Sequence, residues 1–281
     1  MGYTVTQRIR MVKQPRGGYV NPSQFEKIEF DDGITPNENE NIHPAVVGLV
    51  VDYMTRFCLD NDITKAFEIS LRGAISAENF GNRDSVETAI SFLERIKGID
   101  DESIIFACKL ATFDVWYRNA FAAMRSKTYK ETYPDTPTIQ NIQTFVKRGI
   151  SFFEKYGPIT KDGFDFRSPE SDKKGLFKKI KELIFGRDFG GYTETVDAGD
   201  GDFLTSDTLW DFKVSKNKPN GKNTLQLLMY WIMGQHSGQD IFKNITKIGF
   251  FNPRLNVAYL LDIKDVSNDI IRIVEDDIIC Y

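Results

Sequence analysis

The stretch GDGDFLTSDTLWDFKVSK, residues 199–216, sets two apolar arms around the turn-forming Thr205, Ser206 and Asp207. Two short runs rich in aromatic and apolar residues, separated by such a break, read as a β-hairpin. Successive strand side chains point to opposite faces, so the second arm puts Leu209, Asp211, Lys213 and Ser215 on one face and Trp210, Phe212 and Val214 on the other. An acid and an ammonium two residues apart on an otherwise apolar strand are thereby held side by side. Asp202, just before Phe203 and Leu204 on the first arm, reaches the same face across the hairpin. Asp207 belongs to the turn, and Asp200 and Lys216 to the periphery. The converging charges are either a cross-strand salt bridge on a half-exposed hairpin or the oxygen ligands of a hard cation. Mg2+ takes one or two protein carboxylates, keeps several waters and binds substrate phosphate. With Lys213 beside it, such an ion would support phosphodiester hydrolysis.

Downstream, NTLQLLMYWIMGQ reads as a helix on which Gln226 and Tyr230 stand one turn apart. These two residues either mark a wet face or belong to the same cluster as the acids. ITKIGFFNP and NVAYLLDI then read as a second pair of strands about Asn252 to Leu255. Upstream, HPAVVGLVVDYMTRFCL carries Val47, Val51, Met54 and Cys58 at the spacing of a buried helix, opened by Pro44 in its first turn. Residues 62 to 154 continue as helices, with acidic or hydroxyl residues at several starts. A turn-rich basic stretch follows, with lysines at 173, 174, 178, 179 and 181. The first forty residues read as extended pieces and turns, YTVTQRIRMV and FEKIEF alternating.

The bulk composition excludes several classes. Aromatic residues make up 13% of the 281 positions and charged residues 27%, a globular rather than disordered balance. No apolar run approaches the roughly 20 residues that span a bilayer, and the N-terminus lacks a secretory h-region. No membrane association and a cytoplasmic location are expected. Three cysteines without metal-type spacing fit reduced thiols. Only His43 and His236 are present, so hydrolytic chemistry has to rest on carboxylates and lysines. A net charge of -4 does not by itself advertise nucleic acid, although a local basic surface can bind phosphate under a negative total.

Asp, then Asp-x-Lys on the next strand, then Gln-x-x-x-Tyr on a helix resembles the signature of the PD-(D/E)XK nuclease superfamily, in its RecB-type branch. The resemblance covers residues 190 to 262 well and 44 to 58 weakly. It implies an α/β restriction-endonuclease-like core, a mixed central sheet flanked by helices, with a large helical insertion. Residues 1–43 would be an N-terminal extended segment packing on the core, 44–61 the first core helix, 62–185 the insertion and 186–281 the catalytic core. Catalysis would fall to Asp202, Asp211, Lys213, Gln226 and Tyr230, with Mg2+ or Mn2+ held by Asp202 and Asp211. The branch also places a Gly-x-x-x-His metal ligand on an upstream helix; here GLVVD puts Asp52 there, with Glu68 as the alternative and Glu78 a further candidate. The implied activity is hydrolysis of DNA, more than RNA, with a protein partner also open. The alternative is a degenerate member of the same fold that binds nucleic acid or protein without cleaving. Lys216, Lys218 and Lys222, with the lysine cluster at 173–181, are the expected phosphate contacts.

Overall fold

The alternation in residues 199–216 becomes two strands joined at a tight turn, closed by the Thr205 amide donating to the Thr208 carbonyl at 2.9 Å. The computed structural model describes residues 2–167 and 190–281. The lysine cluster at 173–181 lies outside the described residues. In chain order the elements are β1 (Tyr3–Thr4), α1 (Val5–Met11), β2 (Glu26–Glu29), α2 (Pro44–Asp60), α3 (Ile63–Ala66), α4 (Glu68–Asn79), α5 (Ser85–Leu93) and α6 (Asp101–Ala111). Then come α7 (Asp114–Arg118), α8 (Ala120–Ala123), α9 (Thr136–Tyr156), β3 (Lys161–Arg167), β4 (Val196–Leu204), β5 (Thr208–Phe212), α10 (Gly221–His236), β6 (Lys247–Asn252), β7 (Val257–Asp262) and α11 (Asn268–Ile273). They fall into two units: Met1–Phe30, Tyr156–Asn252 and Val257–Tyr281 form the first, Asp31–Lys155 with Pro253–Asn256 the second.

The first unit is α/β, built on a mixed seven-stranded sheet of order β1-β4-β5-β6-β7-β2, with β3 pairing β4. β5 and β6 run parallel and are connected through α10, as a parallel pair requires a crossover. The β4–β5 and β6–β7 pairs are antiparallel. β5 is buried along its whole length, Thr208 to Phe212, as a central strand covered on both faces is. Its Trp210 ring lies over Gly249 of β6, where an added Cβ would meet the ring at 2.4 Å.

Two local readings are corrected. Val5–Met11 is helical, not extended: Thr4 accepts from the Gln7 amide while the Gln7 side chain accepts from the Thr4 amide, a capping box that fixes a helix start. Lys161–Arg167, read as part of a turn-rich stretch, is β3, antiparallel to β4. Gly163, at φ +70°, interrupts the alternation of that strand and conceals it in the sequence.

The second unit is helical. α9 buries Ile139, Ile142, Phe145, Val146, Phe152 and Phe153 along one stripe. The segment 101–125, a single run of helical pattern in the sequence, breaks into α6, α7 and α8 around the buried Asp114. That carboxylate accepts from Tyr53 Oη at 2.6 Å and from Ser70 Oγ. Burial pushes its pKa up, and the two hydroxyl donors work against that rise. Arg148, almost fully buried, closes a loop by gripping Asp32 with two bonds of 2.6 and 2.8 Å and donating to the carbonyls of Ile34, Pro253 and Arg254.

No helix among the described residues is long and apolar enough to cross a membrane.

Candidate active site

β4 and β5 meet in the register Phe203 to Trp210 and Leu204 to Leu209. One step further along that register Asp202 faces Asp211, so both carboxylates fall on the same side of the ladder. Asp202 Oδ2 reaches over to accept the backbone amide of Phe212 at 2.8 Å, which fixes its carboxylate beside the end of β5. Gly201, next to it, is covered by the Phe164 ring of β3; a Cβ there would sit 2.0 Å from Phe164 Cζ. The absence of a side chain at 201 is thus what lets β3 lie against the strand that carries Asp202.

Asp211 is only 4% exposed. Its Oδ2 lies 2.9 Å from Lys213 Nζ in an ion pair, and among the described residues no other group donates to this buried oxygen. The pKa of Asp211 is pushed up to about 6, first by burial and then by the charges of Asp202 and Asp200, against the pull of Lys213. For Lys213, burial disfavours the ammonium, but Asp211, Asp202 and Asp200 together outweigh burial and raise its pKa. The lysine therefore stays charged at neutral pH while the carboxylate beside it titrates just below neutrality.

Gln226 and Tyr230 of α10 are joined, Gln226 Nε2 donating to Tyr230 Oη at 2.9 Å. Tyr230 is 3% exposed, so the pair does not mark a wet face of the helix. Burial first, then the charge of Asp200, raises the Tyr230 pKa well above its ordinary value, and Asp211 and Asp202 add to it. These acids and the tyrosine occupy one electrostatic neighbourhood.

Asp200 is the residue sequence reasoning underweighted. Read as peripheral, it nonetheless acts on Asp211, Lys213 and Tyr230, and Asp165 stands opposite it on β3. The signal was the i, i+2 spacing of Asp200 and Asp202 on one strand, which puts both on one face. Asp52, Glu68 and Glu78 belong to the helical unit. Asp52 pairs with Arg56 one turn on, at 2.9 Å; Glu68 pairs with Arg72; Glu78 accepts the Val86 amide at 3.0 Å. Asp207 stays in the turn, bound by Thr208 and by Lys247 at 2.8 Å.

Two carboxylates side by side, one of them buried, have the donor chemistry that suits a hard divalent cation whose remaining ligands are water or phosphate oxygens. Among the described residues, no group of three or more His, Cys, Asp or Glu forms a cluster that could hold a metal ion. No protein-family model, no curated protein and no solved structure matches this chain.

Proposed function

We propose that the first unit is a divalent-metal-dependent nuclease with a restriction-endonuclease-like core of the PD-(D/E)XK kind, hydrolysing phosphodiester bonds of DNA. The observation that carries this reading is the buried Asp211, ion-paired through Oδ2 to Lys213 at 2.9 Å and facing Asp202 across the hairpin. A carboxylate so placed is costly for stability alone, and sites that concentrate such cost are where function is sought.

When bound by Asp202 and Asp211, Mg2+ or Mn2+ would supply Lewis-acid polarisation of the phosphate and a more acidic water. Asp211, ionised above about pH 6 in the metal-free protein, is available to the cation as a carboxylate at neutral pH. Lys213 keeps its proton and offers a fixed positive charge to the phosphate oxygens as negative charge develops on them. The Gln226 to Tyr230 bond holds the amide in one orientation, for contact with the substrate strand. Lys216, Lys218 and Lys222, all exposed, follow the site in the chain and supply backbone phosphate contacts.

The test is cleavage of linear duplex, supercoiled plasmid and single-stranded circular DNA by the purified protein in Mn2+, in Mg2+ and in EDTA. Metal-dependent cleavage of at least one substrate is expected, with Asp211→Ala and Lys213→Ala each reduced by about a hundredfold or more. Metal-independent cleavage, no cleavage at stoichiometric protein, or full activity in Asp211→Ala overturns the reading.

A further inference from the structure

The helical unit contains a cavity of about 410 Å³ lined from the start of α5, the end of α6, α7, α8 and the segment after it. That volume falls within the range of small-molecule sites, roughly 300 to 1,000 Å³. Arg83, Lys127 and Lys130 line it and no Asp or Glu does, in a chain whose acids outnumber its bases by 40 to 36. Among the described residues none of these three cations makes a salt bridge. Of the acids near the lining in sequence, Glu78 accepts the Val86 amide and Glu131 the Thr128 amide, both at 3.0 Å, while Asp84 stands between Arg83 and Ser85 without a side-chain capping bond. The lining itself is thus positive in charge, with Glu131 close enough to Lys127 for the two charges to interact.

The other wall is aromatic. Trp116 and Tyr129 are half-buried and line the cavity. Phe80 backs the Trp116 ring at 5.9 Å, and Phe113 stacks on Tyr129 at 5.6 Å with a 29° tilt while Phe92 meets it edge-on at 5.4 Å. The Trp116 carbonyl is held by Ser76 Oγ at 3.0 Å, and Asp114, two residues earlier, is anchored in the core. The Trp116 ring, supported in this way, presents a pre-positioned face at little entropic cost, and Lys130 Nζ lies 5.8 Å over the Tyr129 ring. Asn82 adds a side-chain amide, donor and acceptor together, on the same lining.

Three cations, two supported rings and one amide are the recognition elements of a planar heterocycle that carries phosphate. We propose that this cavity binds a nucleoside phosphate, its phosphate at Arg83, Lys127 and Lys130 and its base against Trp116 and Tyr129. The proposal is independent of the nuclease reading, because no residue of the β4–β5 hairpin takes part.

Calorimetric titration of the full chain in EDTA, with ADP, adenosine and inorganic phosphate as separate probes, tests it. Saturable ADP binding is expected, with adenosine and phosphate each weaker by about tenfold or more, since each lacks half of the recognised chemistry. R83E/K127E, at two exposed positions, should weaken ADP by about tenfold or more while its unfolding temperature stays at that of the wild type; R83Q/K127Q should do so to a lesser degree. Asp211→Asn should bind ADP as the wild type does, whatever its effect on DNA cleavage. No saturable ADP binding, equal affinity for ADP and adenosine, or wild-type affinity in both double variants overturns the proposal.

Discussion

Replacing Asp211 by Asn should make the metal-free protein more stable, and by an amount that depends on pH. In the fold the carboxyl sits near pH 6 against an ordinary value of 3.8, because burial and the neighbouring Asp202 and Asp200 outweigh the attraction of Lys213. A raised carboxylate pKa means that the folded state holds the proton more tightly than the unfolded chain does. The resulting penalty is absent below about pH 3.8, grows as pH rises, and is complete above about pH 6. At about 1.4 kcal/mol per tenfold in proton affinity, ionised Asp211 costs about 3 kcal/mol at pH 7. Asparagine is the uncharged near-isostere and escapes that cost. For a chain of this size the gain corresponds to roughly 6 to 12 °C in the unfolding midpoint. Thermal unfolding of both proteins in EDTA, at pH 7.5 and at pH 4.5, measures it: the variant should lead clearly at the higher pH, and its lead should fall to about a third at the lower. A variant that is less stable than the wild type at pH 7.5, or a difference that does not change between the two pH values, would refute the reasoning.

Other perturbations have definite outcomes. Gly73→Ala should lower stability by about 1 to 3 kcal/mol, because the new Cβ would sit 2.0 Å from the Phe113 carbonyl and push α4 off α7; an unchanged denaturation midpoint would show that the approach is looser. Tyr53→Phe removes the 2.6 Å donor from the buried Asp114 and should cost about 1 to 3 kcal/mol in chemical unfolding, a loss that Tyr53→Phe combined with Asp114→Asn should in part recover. Tyr230→Phe frees Gln226 from its partner at 2.9 Å and should cut cleavage about tenfold with little change in unfolding; wild-type rates would remove the pair from the site.

The hairpin was legible because two short apolar arms flank a polar turn and because period-2 alternation fixes which charges share a face. The pairing of Asp211 with Lys213 follows from that alternation, and the bond from Gln226 to Tyr230 from their one-turn spacing on the next helix. The elements of the crossover were legible too, a strand, a helix and a second apolar strand, and the parallel pairing of β5 with β6 is what the structure adds. What failed did so for local reasons. At the N-terminus TVTQRI satisfies alternation, and the reciprocal Thr4 and Gln7 hydrogen bonds that turn it into a helix require reading side chains as caps rather than as polarity. β3 was hidden by a left-handed glycine in its middle and by its place after a long helix. The breaks in residues 101–125 follow from burying Asp114, a helix-compatible residue whose partners Tyr53 and Ser70 are distant in sequence. The part played by Asp200 depends on distances between charges, which a strand pattern ranks by face but not by range.

The central claim is that Asp202 and Asp211 form a divalent-cation site, and calorimetric titration of the purified protein with Mn2+ at pH 7.5 tests it most directly. The account predicts saturable binding that is lost in Asp211→Asn and weakened as pH falls through about 6, where the Asp211 carboxyl takes up its proton. The absence of saturable Mn2+ binding, or binding that Asp211→Asn leaves unchanged, would contradict it.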